Sequence, residues 1–179
     1  ATTQTLRPRR PTGASEAMCA RLHLGCGPDY RTGWVNVDVV EYDRLDVQHD
    51  LRDAPWPFDD TTVSQVRAWH VFEHLTHDDH ADRVFPELCR VTRPGARIRI
   101  AVPLGLDALA DPTHRSRWTY RTPLFYSADA DLWQPGRTKD LPLRVVDRRV
   151  RVWGVGVFGV LKPVYWAVAR WWPNAGQAL

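Results

Sequence analysis

Ala20-Arg21-Leu22-His23-Leu24-Gly25-Cys26-Gly27-Pro28-Asp29-Tyr30-Arg31-Thr32-Gly33-Trp34-Val35-Asn36-Val37-Asp38-Val39-Val40 is the stretch that decides the fold. A short apolar strand, about Arg21 to Leu24, runs into a turn at Gly25-Cys26-Gly27-Pro28. A second strand, about Trp34 to Val39, carries Asp38 near its carboxyl end. This is the opening of an α/β sheet, in which ligands sit outside the carboxyl ends of the strands. Gly25 and Gly27 lack a Cβ, so the chain can turn sharply and a ligand can come close to its amides. A carboxylate one strand over can accept two hydrogen bonds from a ribose diol, which makes the expected site nucleoside-shaped.

Three further segments follow at workable spacing. They are Asp50-Leu51 with Pro55-Trp56-Pro57-Phe58-Asp59-Asp60, then His70-Val71-Phe72-Glu73-His74-Leu75, then Glu87-Leu88-Cys89-Arg90-Val91-Thr92-Arg93-Pro94-Gly95. Taken with the opening stretch, they resemble the class I S-adenosylmethionine-dependent methyltransferases. The resemblance is to the small subgroup with Leu-Gly-Cys-Gly followed quickly by Gly-Trp-x-Asn-Val-Asp, and it covers Arg21 to His114. It implies a Rossmann-like α/β fold, S-adenosyl-L-methionine as cofactor, and methyl transfer as the activity. The implied cofactor-binding residues are Gly25, Cys26, Gly27, Asp38, Asp50, Leu51 and His70. In the resembled family, the acid at Asp50 meets the adenine amino group, Leu51 packs on the ring, and His70 lines the floor beside the methionine part. An Asp-x-x-His segment beside the substrate corresponds to Asp111 to His114, making His114 the candidate general base.

The bulk numbers fit this reading. A chain of 179 residues with 44% hydrophobic and 25% charged residues suits one soluble globular domain. The net charge of +3 is uneven: residues 1–20 hold three arginines and one glutamate, +2, which leaves +1 for the rest. A near-neutral body is a poor electrostatic footprint for a nucleic-acid binder. Cys19, Cys26 and Cys89 are scattered without a Cys-x-x-Cys pair, so free thiols in a reducing compartment are expected, and with them a cytoplasmic location. Residues 1–18 read as a disordered basic tail and 19–179 as a single domain.

Only ten residues separate Gly27 from Asp38, about half the usual spacing of a dinucleotide-binding unit. That leaves room for one helical turn at most between the first two strands. A third strand is expected over Leu45 to Gln48 and a fourth over Thr62 to Trp69, the latter polar for a central strand because of Gln65 and Arg67. Thr76 with Asp79 has the form of a capping box and opens a helix reaching Val91. Ala81, Val84, Phe85, Leu88 and Val91 share one face of it, and Pro86 predicts a kink or restart. Pro94-Gly95 ends the helix, and Arg97 to Val102 alternates as a fifth strand. Asp111 to Phe125 reads as a loop over the strand ends followed by a short helix. Leu141 to Phe158 has the alternation of an antiparallel hairpin. From Val157 to Trp172 the apolar residues recur at helical spacing, and packing on the sheet is the default. Trp171 and Trp172 exceed what that packing needs and mark a candidate membrane-surface contact.

His70, His74, His77 and His80 crowd into eleven residues, and His70 to His74 fits the His-x-x-Glu-His pattern of zinc peptidases. That chemistry needs both histidines on one helical face. Here the segment leaves a strand, so no metal ligands are assigned. Glu73 and His74 are expected to anchor the loop, and His77 and His80 to be exposed. No Asn/Asp-Pro-Pro-Tyr/Phe follows the fourth strand, which argues against the amino-methylating enzymes that use it. The acceptor expected is an oxygen of a small molecule or glycan. The alternatives are a non-catalytic nucleoside-binding module of the same fold, and a membrane-peripheral interaction protein using its Trp-rich terminus.

Overall fold

The computed structural model describes residues 20–105, 107–128 and 140–150. Among the described residues five parallel strands form one sheet: β1 (Ala20–Leu24), β2 (Val35–Asp38), β3 (Val47–Gln48), β4 (Val63–Trp69) and β5 (Thr92–Ala101). Their spatial order is β3-β2-β1-β4-β5. The chain therefore builds outward from β1 in one direction, then returns to β1 and builds in the other. Between β1 and β4 the direction of building reverses, and sheets of this kind place their ligands at the carboxyl edge of such a switch point. The register sets Leu24 beside Val37 on one side and beside Ala68 on the other. No helix separates β1 from β2, as the short spacing requires.

One helical segment covers the sheet in three pieces: α1 (His77–Asp79), a π turn (His80–Val84) and α2 (Phe85–Val91). Its start is a capping box, with Thr76 Oγ1 accepting from the Asp79 amide at 3.0 Å and Asp79 Oδ2 accepting from the Thr76 amide at 3.0 Å. The π turn lies just before the place where Pro86 cannot donate an i→i−4 hydrogen bond. The five residues of the expected apolar face are all buried, against Leu22, Leu24, Val37, Val63, Val66 and Ala68 of the sheet. Each large side chain among them contributes roughly 1.5–3 kcal/mol.

The Pro-Trp-Pro segment is clamped to this helix rather than left as a passive turn. Glu87 Oε2 accepts the Trp56 amide at 2.6 Å, and Arg90 donates to Glu87, to the Trp56 and Phe58 carbonyls and to Asp60. The Arg90 guanidinium holds the Glu87 carboxyl below the usual carboxylate range. Gln65 and Arg67 point to the sheet face away from the helix, where Arg67 lies 3.6 Å from the Trp69 ring centroid and 3.7 Å from Asp29. A cation resting on an indole explains how a central strand tolerates an arginine.

Three expectations change. β5 begins at Thr92, not Arg97: Thr92 pairs with Val63, and the register shifts before Gln65 pairs with Arg97. The break falls on Pro94-Gly95, with Gly95 at φ +79°. His80 is fully buried, not exposed, and stacks on Phe72 at 5.1 Å. Of the expected antiparallel hairpin, residues 141–150 form no strand and the rest lie outside the described residues. So do Cys19, the basic tail over 1–18, and the terminal segment Val157 to Trp172 with Trp171 and Trp172. Among the described residues no helix is long and apolar enough to cross a membrane.

Candidate cofactor and acceptor site

At the end of β1 the chain turns through Gly25 at φ +57° and Gly27 at φ +50°. A Cβ on Gly25 would sit 2.2 Å from Val71 Cγ2, so glycine is required for space as well as for backbone angle. This contact joins the turn after β1 to the turn after β4. At Gly27 a Cβ would meet only Tyr42 Oη, at 4.0 Å. The space over Gly27 is a cradle that a ligand could enter. Asp38 closes the turn from below: its Oδ2 accepts the Gly27 amide at 2.8 Å and its Oδ1 the Val40 amide at 2.9 Å. A carboxylate carries about four lone-pair positions, so each oxygen keeps capacity for a hydroxyl donor. Cys26 is buried between these groups, and burial, with the Asp38 charge, pushes its thiol up to about 11. It is a neutral wall of the turn and not a nucleophile.

Asp50 and Leu51 follow β3 along the same sheet edge. Asp50 is engaged by its own neighbour: Arg52 donates from Nε at 3.0 and 3.1 Å and from Nη2 at 2.6 Å. That guanidinium holds the Asp50 carboxyl below its ordinary range. Leu51 is buried in the core cluster, its carbonyl accepting the Trp56 indole N–H at 3.0 Å.

His70 directly follows β4 and has φ +56°, the left-handed region, which for a residue with a Cβ costs on the order of 1–3 kcal/mol. Two bonds hold it there. Its amide donates to Ala101 of β5 at 2.9 Å, and its Nδ1 lies 3.1 Å from Glu73 Oε1. The imidazole itself is exposed, whereas Glu73 is buried, its Oε2 without a hydrogen-bond partner. His70 thus precedes the 3-10 turn Phe72–His74, and His70 and His74 do not share the helical face of a zinc peptidase.

His114 arrives from the far side of β5. After α3 (Asp107–Ala110) the chain folds back, and the Glu73 carbonyl accepts the Arg115 and Ser116 amides at 2.7 and 3.1 Å. Ser116 donates to the Phe72 carbonyl at 3.0 Å and accepts the Trp118 indole N–H at 3.1 Å. Trp118, Phe72, His80, Phe85 and Tyr126 form an aromatic floor below this seam. His114 ends edge-on to His74, ring centroids 5.0 Å apart, beside a cleft of about 500 Å³ lined in part by Ala108, Leu109 and Pro112.

The expected residues therefore fall into two groups. Gly25, Cys26, Gly27 and Asp38 are in mutual contact, with Asp50 and Leu51 further along the edge. His70 and His114 belong to a second group organised by Glu73, which the sequence marked only as a loop anchor. Its signal was present, since a glutamate between aromatic and apolar residues must bury or break the pattern.

No family model and no curated protein matches the chain. A solved structure does. It is a chain of the "Complex between the Haloferax volcanii Trm112 methyltransferase activator and the putative methyltransferase", with a TM-score of 0.53 at 17% identity. The match covers 86% of this chain and 77% of that one. The likeness is one of fold, and it agrees with the parallel sheet built outward from β1.

Proposed function

We propose that this chain transfers a methyl group from S-adenosyl-L-methionine to an oxygen of a small molecule or glycan. The observation that carries the proposal is the Gly25-Cys26-Gly27 turn, closed onto the Asp38 carboxylate at the switch point while the space over Gly27 stays open. The likeness to the solved neighbour supports the same reading. The cofactor supplies an electrophilic methyl on a sulfonium. The protein then has to position two reactants and, for a hydroxyl acceptor, receive a proton.

Asp38 takes the ribose diol, the Gly25-Cys26-Gly27 turn lines the approach, and Asp50 and Leu51 border the base. His70 borders the methionine end. His114 has its Nδ1 2.9 Å from the Ala108 carbonyl, which can only accept, so Nδ1 carries the proton and Nε2 keeps its lone pair. That is the form a general base requires. A protein partner joins the proposal because the neighbour was solved with an activator.

Asp38→Asn tests the assignment. It keeps one acceptor oxygen but removes the charge, and should weaken S-adenosylhomocysteine binding by about 1.5–3 kcal/mol. Unchanged affinity would remove Asp38 from the site.

A further inference from the structure

Three side chains of the second group are prepared in a way that proton transfer does not need. His74 and His114 both have Nδ1 committed. The Thr113 hydroxyl donates its hydrogen to Asp111 Oδ1 at 2.6 Å, so toward His74 Nδ1, 3.1 Å away, it can only accept. His74 is therefore protonated at Nδ1, as His114 is through the Ala108 carbonyl. Both rings are left with a bare Nε2. Beside them Glu73 has one oxygen held by His70 and the other buried with no partner among the described residues. A buried carboxylate oxygen without a donor is costly unless something positive meets it.

Ligand atoms of Glu73, His74 and His114 lie within 4.8 Å of one another. Donors around one zinc ion at about 2.0–2.2 Å stand roughly 3–4 Å apart. Closing the difference takes side-chain rotation of about an ångström. Each donor also has the outer partner that orients a metal ligand: a carbonyl for His114, a hydroxyl backed by a carboxylate for His74, an imidazole for Glu73. Asp111 Oδ2, 3.7 Å from His114 Nε2, adds a carboxylate on the exposed side.

We infer that Glu73, His74 and His114 bind a divalent first-row transition-metal ion, with zinc as its simplest representative. Two imidazoles and a carboxylate suit zinc, iron, cobalt or nickel over magnesium or calcium. The site differs from the His-x-x-Glu-His reading, since His70 orients the carboxylate and the second histidine comes from another segment. Three protein ligands leave coordination positions open, and of the three His114 also lines the cleft. On the reading that this chain methylates an oxygen, which this role rests on, those positions take the acceptor hydroxyl and lower its pKa, its proton passing to solvent water as the oxygen takes the methyl and the sulfonium leaves as a neutral thioether. His114 Nε2 has one lone pair, so metal ligation replaces its service as a base.

The test is zinc and cobalt binding by the untagged full chain, with no cofactor present, so that it stands apart from methyl transfer. Dialysis against buffered zinc followed by elemental analysis should give one equivalent per chain. Cobalt should give visible d–d absorption bands that zinc abolishes. His74 is exposed, so His74→Ala should keep the fold, checked by circular dichroism, and weaken zinc binding at least tenfold. Glu73→Gln should weaken it as well, and His49→Ala should not. A wild-type chain that takes up no zinc or cobalt would overturn the proposal and return His114 to the base role. So would one equivalent of zinc held equally well by His74→Ala.

Discussion

The two halves of the carboxyl edge are built from different material. The half at β1 and β2 is made of backbone: two glycines in left-handed conformations, an amide held by Asp38, and empty space over Gly27. The half beyond β4 is made of side chains: His70, Glu73, His74 and His114, gathered from two segments some forty residues apart. A backbone site binds a large, common ligand part by shape and amide direction and tolerates little change. A side-chain site sets chemistry and can be altered one group at a time. The difference predicts that substitutions in the first half damage fold and binding together, while those in the second separate them.

The largest effect is expected at the hinge between the halves. Gly25→Ala places a methyl 2.2 Å from Val71 at a positive φ, combining overpacking with backbone strain. Thermal or urea unfolding should show a loss of about 3 kcal/mol or more. A loss below about 1 kcal/mol would mean that Val71 swings away freely and that the two turns are not coupled.

Next comes the floor of the second half. His80 is fully buried and donates from Nε2 to the Phe72 carbonyl at 2.8 Å, and burial lowers its pKa from 6.5 to about 4. His77, edge-on at 5.6 Å, adds a like charge when protonated. The unfolded chain then takes up a proton that the folded chain refuses. Stability is full above pH 6.5 and falls as the pH drops toward 4, by roughly 3 kcal/mol from this group. Urea unfolding across that window should show the slope, and His80→Phe should flatten it whatever its absolute stability. An unchanged slope in the variant would assign the acid sensitivity to other groups.

How far the sequence could be read follows the same division. Gly25, Gly27 and Asp38 were legible because they act within fourteen residues and through requirements of the backbone itself. The helix face from Ala81 to Val91 was legible because burial repeats at the helical period. His80 was misread: its position in the first turn suggested exposure, but the π turn and the aromatic ring of Trp118, Phe85 and Tyr126 enclose it. The early start of β5 was hidden because Pro94-Gly95 has the composition of a stop yet forms an irregularity within a pairing. The grouping of Glu73, His74 and His114 depends on the Glu73 carbonyl capturing the Arg115 and Ser116 amides. A main-chain acceptor and two main-chain donors leave no trace in residue identity.

Under the proposed function the backbone half is a site for S-adenosylmethionine and not for a dinucleotide, although the sheet order serves both. Isothermal calorimetry of the full chain with S-adenosylhomocysteine and, separately, with NAD decides it. One-to-one binding of S-adenosylhomocysteine is expected, with no heat of binding for NAD. Binding of NAD alone, or of neither ligand, would contradict it.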